Sequence, residues 1–287
     1  MEYIVCKFKF NKTEDFYFDI LSSMLGEIGF DSFETETDYL AAYIMKSNYD
    51  PQRIKRVIQS YPLTGVRIDY TSEIIDSKDW NSAWESTFEP IIIDDQIHIH
   101  SSIYPKRIDM PYDITINPRM SFGSGSHYTT RLILQMLLHS DIFGKSVLDL
   151  GCGTGILGIF AKLRGCIHLT ACDIEHSCIE NTKENFMLNG LESAKIHEGS
   201  IDSLETEEKF DIILSNIHLN IHISLMDEYS KKLNDGGSLY LSGFYVDDIK
   251  RLTESANHHG LVLAEMSSEE NWATLKYSSA SIYRVVL

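Results

Sequence analysis

Residues 147–155 read "VLDLGCGTG", and this stretch decides the fold. With Ser146 it opens as a short apolar run of strand length. Three glycines at alternate positions, Gly151, Gly153 and Gly155, then break the run. Glycine lets the chain turn sharply and lets a ligand touch the main chain directly. A helical pattern follows to about residue 164. The same rhythm continues outward. "IHLTACD" (167–173) reads as a strand, 175–189 as a helix and "KIHEGS" (195–200) as a short strand. "FDIILSN" (210–216) is a strand followed by a helix over 219–233, and "GSLYLSG" (237–243) a strand followed by a helix over 246–259. Strands near 261–266 and 272–277 close the series. Strands alternating with helices predict an α/β domain whose parallel sheet is covered on both faces.

Asp173 ends the strand after the Gly-rich turn, 22 residues beyond Gly151. A carboxylate there can accept hydrogen bonds from both ribose hydroxyls of a bound nucleoside. The dinucleotide fingerprint is G-x-G-x-x-G, whose third glycine seats the helix against the sheet. Here the spacing is G-x-G-x-G, with Asp149 just upstream. It resembles instead the S-adenosylmethionine site of the seven-stranded, Rossmann-like methyltransferases. "FDIILSN", ending in Asn216, matches the position of their fourth-strand motif.

Upstream lies "SFGSGSHYTT" (121–130). The pattern F-G-[ST]-G-x-H-x-T-T before such a strand resembles the PrmA family, methyltransferases of ribosomal protein L11. The Trp-rich "DWNSAW" (79–84), the G-C-G-T-G turn, Asp173 and the S-N-I segment at 215–217 extend the resemblance over most of the chain. It implies a small N-terminal domain joined by a linker to a methyltransferase domain, here 1–75, 76–90 and 91–287. It implies S-adenosylmethionine contacts at Thr130, Gly151, Gly153, Asp173 and Asn216. Thr130 would offer a hydroxyl near the methionine end, and Asp173 would take the ribose. Asn216 would lie where sulfonium and acceptor amine meet, and is the expected catalytic residue. Trp80 and Trp84 would anchor the linker. The sequence departs from the family at Ser124, where Thr is commoner, at Ser215, where Ala is common, and in "HLNIHI" (218–223), which lacks a Gly-Pro. These departures bear on the acceptor pocket.

Methyl transfer to an amine needs positioning, which supplies about 7–11 kcal/mol of such a barrier. It also needs a neutral amine, because an ammonium has no lone pair. A lysine with a pKa of about 10.4 in water gives up its proton more readily in a less polar pocket. Asn216 could orient the amine through its carbonyl without acting as a base. His127 is either a general base or a structural hydrogen-bonding residue. His218 and His222 are four apart, but Leu219 stands where H-E-x-x-H needs Glu, so no metal site is expected. His98, His100, His258 and His259 read as surface residues, and Cys152 as a packing residue. Two other readings stay open: methylation of a different acceptor, and a cofactor-binding protein without catalysis. The segment "SNIH" (215–218) lacks the N-P-P-Y of amide and exocyclic-base methyltransferases, which argues against those acceptors.

The first 75 residues follow another plan. Ile4, Cys6, Phe8 and Phe10 alternate with polar residues, as in a half-buried strand. A helical pattern over 14–28, strands near 31–36 and 39–46, a helix from "DPQRIKRVIQSY" (50–61) and a strand near 65–75 give β-α-β-β-α-β. That order predicts a small α+β, ferredoxin-like domain, and the resemblance makes it the substrate-recognition module. Trp80, Trp84 and Phe88 recur every four residues, predicting a short amphipathic linker helix.

The 287 residues carry a formal charge of −17. Residues 146–287 hold 21 acidic against 11 basic side chains, so the catalytic part shares the excess. Such a surface repels phosphate backbones and favours a basic protein partner, which argues against direct nucleic-acid binding. Five cysteines with no C-x-x-C pair fit free thiols in a reducing compartment. "MEYIVCKFKF" does not read as a signal peptide, and no run approaches the length of a membrane span. A cytoplasmic monomer is expected.

Overall fold

The computed structural model describes residues 3–11, 15–30, 32–35, 39–63, 65–75, 88–117, 123–191, 193–205 and 207–279. Trp80 and Trp84 of the expected linker helix, Ser121 and Phe122 of the upstream loop, and the tail 280–287 lie outside the described residues. The chain divides into two compact units, 1–83 and 84–287.

The first unit runs β1 (Tyr3–Phe10), α1 (Asp15–Gly26), β2 (Ser32–Thr35), β3 (Tyr39–Met45), α2 (Pro51–Gln59) and β4 (Ile68–Ile75). Its strands form one sheet in the order β2-β3-β1-β4, with every neighbouring pair antiparallel. The alternation in β1 sends Ile4, Cys6 and Phe8 into one core with Leu21 and Leu25 of α1 and Ile54 of α2. Asp50 starts α2 by accepting the Gln52 N–H at 2.8 Å, and Pro51 pre-sets the first turn.

The second unit opens with a three-stranded sheet of β5 (Ile91–Ile93), β6 (Ile97–His100) and β7 (Tyr112–Thr115), with β6 and β7 parallel. Helix α3 (Tyr128–Leu138) follows. Then come β8 (Ser146–Leu150), α4 (Ile156–Leu163), β9 (His168–Asp173), α5 (His176–Leu188), β10 (Lys195–Glu198) and β11 (Phe210–Asn216). The 219–233 segment, expected as one helix, is two: α6 (Leu219–Ser224) and α7 (Met226–Lys232), interrupted at Leu225. β12 (Leu233–Tyr245), α8 (Ile249–His258), β13 (Leu261–Glu269) and β14 (Trp272–Ser279) complete the unit.

These strands form a mixed sheet in the order β10-β9-β8-β11-β12-β14-β13, with β14 antiparallel to both neighbours. Both faces are buried, which explains the near-continuous apolar runs. Val147, Leu169 and Ile212 enter one core with α3 and α4. Their sequence neighbours Leu148 and Ile213 enter another, with Tyr229 of α7 and Leu252 of α8. From β8 the chain winds outward through β9 and β10. It then crosses back to β11 and winds the other way. A parallel sheet that reverses its order in this manner opens a crevice at the carboxyl ends of the two central strands.

A further expectation is overturned. His98 and His100 are not surface residues: they are 3% and 1% exposed. The isoleucines of β6 and β7 fill the core against α3 and α4, and the histidine face is covered as well.

Candidate active site

The crevice between the ends of β8 and β11 is a cavity of about 460 Å³. Gly151, Gly153, Asp173 and Asn216 line it, together with His127, Thr129, Ile217, Gly243 and Trp272. Four of the five residues expected to hold a cofactor therefore share one wall system. Thr130, the fifth, is buried directly behind Asn216.

The β8 side is built from main chain. Gly151 has φ +70°, and a Cβ there would sit 2.5 Å from Cγ2 of Ile217. Only glycine turns here and leaves the crevice open. The turn is fixed from behind by a polar stripe on α5. Thr182 Oγ1 donates to the Gly153 carbonyl at 2.9 Å, and Asn185 Nδ2 donates to the Thr154 carbonyl at 2.9 Å. Thr154 Oγ1 donates to Gly123 O at 2.6 Å, tying the upstream loop to the turn. Asp173, at the end of β9, accepts the Gly153 N–H on Oδ2 and the Glu175 N–H on Oδ1, each at 3.0 Å. Each carboxylate oxygen keeps a further lone pair. Beneath the turn, Asp149 is wholly buried and accepts the Gly158 N–H at 2.8 Å. Burial pushes its carboxyl up to about 7.

The β11 side is built from side chains. Asn216 Nδ2 donates to Thr129 Oγ1 at 3.1 Å and to Thr130 Oγ1 at 3.2 Å. Both amide hydrogens are thereby used, which sets the orientation of the amide. Its carbonyl, Oδ1, is buried and has no protein partner among the described residues. A buried acceptor without a partner is costly. His127 caps α3, its Nδ1 receiving the Thr129 N–H at 3.3 Å and lying 2.8 Å from Thr129 Oγ1. Its ring stands edge-on to Trp272 with centroids 4.8 Å apart, and burial lowers its pKa. Of its two readings, the structure supplies a structural role. Tyr245 also packs against Trp272, with ring centroids 4.3 Å apart.

Of the remaining histidines and cysteines, His218 and Cys178 also line the cavity, whereas His222 and Cys152 lie in the core. His222 is buried with Nδ1 3.1 Å from the Tyr229 hydroxyl and Nε2 2.9 Å from Ser242 O. Cys152 is buried 3.2 Å from Thr182 Oγ1, and burial holds its thiol well above the usual range. Sequence reasoning missed Thr129, Ile217, Gly243 and Trp272. Asn181, Asn185 and Asn189 repeat every four residues on one helix face, a legible signal of a buried polar stripe that was not read.

A nucleoside cofactor fits this crevice. The glycine cradle is open where a Cβ would close it, a carboxylate ends β9, and Asn216 lines the cavity from the end of β11. Together with the sheet order, this defines an S-adenosylmethionine-dependent methyltransferase. The sequence profile described as ribosomal protein L11 methyltransferase (PrmA) matches residues 23–279. The ribosomal protein L11 methyltransferase of Bacteroides fragilis is 40% identical over 260 residues, covering 90% of this chain and 93% of that one. The one from Porphyromonas gingivalis is 42% identical over 265 residues, covering 92% and 91%. The crystal structure of a ribosomal protein L11 methylase from Lactobacillus delbrueckii subsp. bulgaricus superposes with a TM-score of 0.62 at 24% identity, over 67% of this chain and 100% of that one. The chain belongs to the ribosomal protein L11 methyltransferase (PrmA) family.

Proposed function

We propose that this protein methylates lysine and N-terminal amino groups of ribosomal protein L11, as a cytoplasmic monomer that does not itself bind nucleic acid. The observation that carries the acceptor chemistry is Asn216: its amide nitrogen is committed to Thr129 and Thr130, and its buried carbonyl has no partner among the described residues. An amine N–H is the donor that carbonyl lacks. When bound, S-adenosylmethionine supplies a methyl group on a positively charged sulfur, which departs as a neutral thioether.

Gly151 and Gly153 hold that cofactor through the main chain, and Asp173 accepts from its ribose hydroxyls. Asn216 Oδ1 accepts one N–H of the incoming amine and so aims its lone pair. Trp272 and Ile217 wall the same cavity with apolar surface. An amine in such surroundings is favoured in its neutral form, the one that has a lone pair. No side chain has to act as a strong base. The excess of acidic residues over 146–287 supports a basic protein as substrate.

The sheet order and β-α-β-β-α-β succession of the first unit support reading it as a ferredoxin-like module that holds that substrate. In this reading 1–75 recognises L11 and 76–90 is the linker that carries the catalytic domain, 91–287, from one amine to another.

The test is a transfer assay with methyl-labelled S-adenosylmethionine and unmethylated L11, with the label located by mass spectrometry. Label on lysine or the N-terminal amine, lost in Asp173→Ala together with cofactor binding, is the expected result. An unlabelled L11 beside intact cofactor binding by calorimetry would overturn the substrate and leave the cofactor site standing.

A further inference from the structure

Strand β6 carries His98 and His100 two positions apart, so both rings leave the sheet on the same face. They stack with centroids 4.8 Å apart and 18° between their planes. Asp113 stands on β7 in register with His98. Its Oδ1 lies 2.7 Å from His98 Nδ1 and its Oδ2 lies 3.1 Å from His100 Nε2. Among the described residues this is the one group of three such side chains whose donor atoms converge, all within 4.8 Å of one another. None of the three lines the crevice described above.

The surrounding bonds fix the roles of these atoms. His100 Nδ1 lies 2.8 Å from the carbonyl oxygen of Ser101, so that nitrogen carries the hydrogen and donates. Nε2 then presents its lone pair between the Thr115 hydroxyl at 3.3 Å and a carboxylate oxygen at 3.1 Å. Two acceptors at that separation repel unless a positive centre lies between them. A backbone carbonyl on the far nitrogen is also how metal-ligating histidines are oriented and made more basic. Asp113 is held in turn: its Oδ1 accepts the Arg107 N–H at 2.9 Å.

We propose that His98, His100 and Asp113 bind a divalent transition-metal ion of the zinc class, joining β6 to β7. Two imidazoles and one carboxylate are a donor set suited to zinc and its neighbours rather than to magnesium or calcium. Around a tetrahedral ion with metal–nitrogen bonds of about 2.0–2.1 Å, ligand atoms lie about 3.3 Å apart. On binding, the carboxylate–imidazole separations of 2.7 and 3.1 Å would open toward that figure and the 4.8 Å limit would close toward it, by about 1.5 Å. The side chain of Asp113 keeps 15% of its surface exposed, which gives an ion and its water a way in.

The test uses the full chain with any affinity tag removed, dialysed first against a chelator. Addition of cobalt(II) should produce visible d–d absorption that saturates at one equivalent and is bleached by zinc. Zinc should raise the Tm by several degrees. His100→Gln and Asp113→Asn should each lower cobalt affinity at least tenfold, while His176→Ala, which removes an exposed histidine paired with Glu198, should leave it unchanged. The wild-type titration stands even if a variant folds poorly. Absence of cobalt absorption and of any zinc effect on Tm, in protein that still binds S-adenosylmethionine by calorimetry, would overturn the site and leave a proton as the positive centre between His100 and Asp113.

Discussion

The two sides of the crevice are made from different material. On the β8 side the chain offers main chain: the turn at Gly151 and Gly153, and one carboxylate, Asp173, that the same main chain holds. On the β11 side it offers side chains from three distant segments: His127 and Thr129, Asn216 and Ile217, and Trp272. A cofactor can be held by a turn and one acid, because its shape is constant. An acceptor has to be met by side chains, whose identity sets the chemistry. The contrast makes separable demands. Changes on the β8 side should alter stability and cofactor affinity, and changes on the β11 side should alter turnover.

The largest effect is expected beneath the β8 turn. Burial raises the Asp149 carboxyl from 3.8 to about 7. A carboxyl raised on folding stabilises the fold fully below its unfolded value, and that stability is lost as pH rises through the folded value. At about 1.4 kcal/mol per unit, the change between pH 4 and pH 7 is on the order of 4 kcal/mol. Asp149→Asn should remove this dependence, because an amide oxygen can still accept the Gly158 N–H. Urea unfolding from pH 4 to pH 8 should show the variant gaining on the wild type as pH rises and overtaking it above pH 7. Parallel curves would sink the assignment. The wild type alone is a poor witness, since buried His222, lowered to about 4, loses stability in the opposite direction as pH falls below its unfolded value.

On the β11 side, Asn216→Ala should lower kcat on L11 by about 100-fold, the scale of losing alignment at the reacting centre. The cofactor Kd, read by calorimetry, should stay within a factor of about three, well short of what one lost hydrogen bond to a charged group costs. Loss of both together would mean that the two sides do not divide the work.

That division also explains what could be read from the sequence. The β8 side is local: "VLDLGCGTG" and Asp173 lie within 27 residues, and their spacing alone points to a nucleoside. The alternating order of strands and helices likewise led to an α/β sheet, because each element announces its own period. Trp272 and Gly243 had no such signal. They enter the crevice only because the folded sheet brings β12 beside β11 and β14 beside β12. The error at His98 and His100 has the same origin. Their alternation with isoleucine read as a half-exposed strand, whereas Asp113 and the segment around Arg107 cover the polar face. Nothing within β6 reports on partners that far along the chain.

A third change sharpens the boundary between the sides. Gly151→Ala would place a Cβ 2.5 Å from Ile217 Cγ2 at a φ of +70°. Strain of about 2 kcal/mol is expected for a side chain in that conformation. Its measurable form is a cofactor Kd raised about 30-fold, with kcat at saturating cofactor near the wild-type value. A fall in kcat without a change in Kd would show that the methyl shifts Ile217, and with it Asn216, rather than the cofactor.

The smallest effect is the most discriminating. Thr130 is 1% exposed and accepts one of the two amide hydrogens of Asn216 at 3.2 Å. Thr130→Val keeps nearly the same volume and removes the acceptor, at a cost of about 1 kcal/mol. The amide then keeps only Thr129 and holds its carbonyl toward the crevice less firmly. Turnover should fall about fivefold, with cofactor Kd and Tm close to wild type. If the Kd rises instead and kcat does not move, Thr130 reaches the cofactor itself, as the family resemblance implies. In that case the hydroxyl pair cannot be regarded as a mount for Asn216, and the acceptor side of the crevice would have to be redrawn around His127 and Trp272.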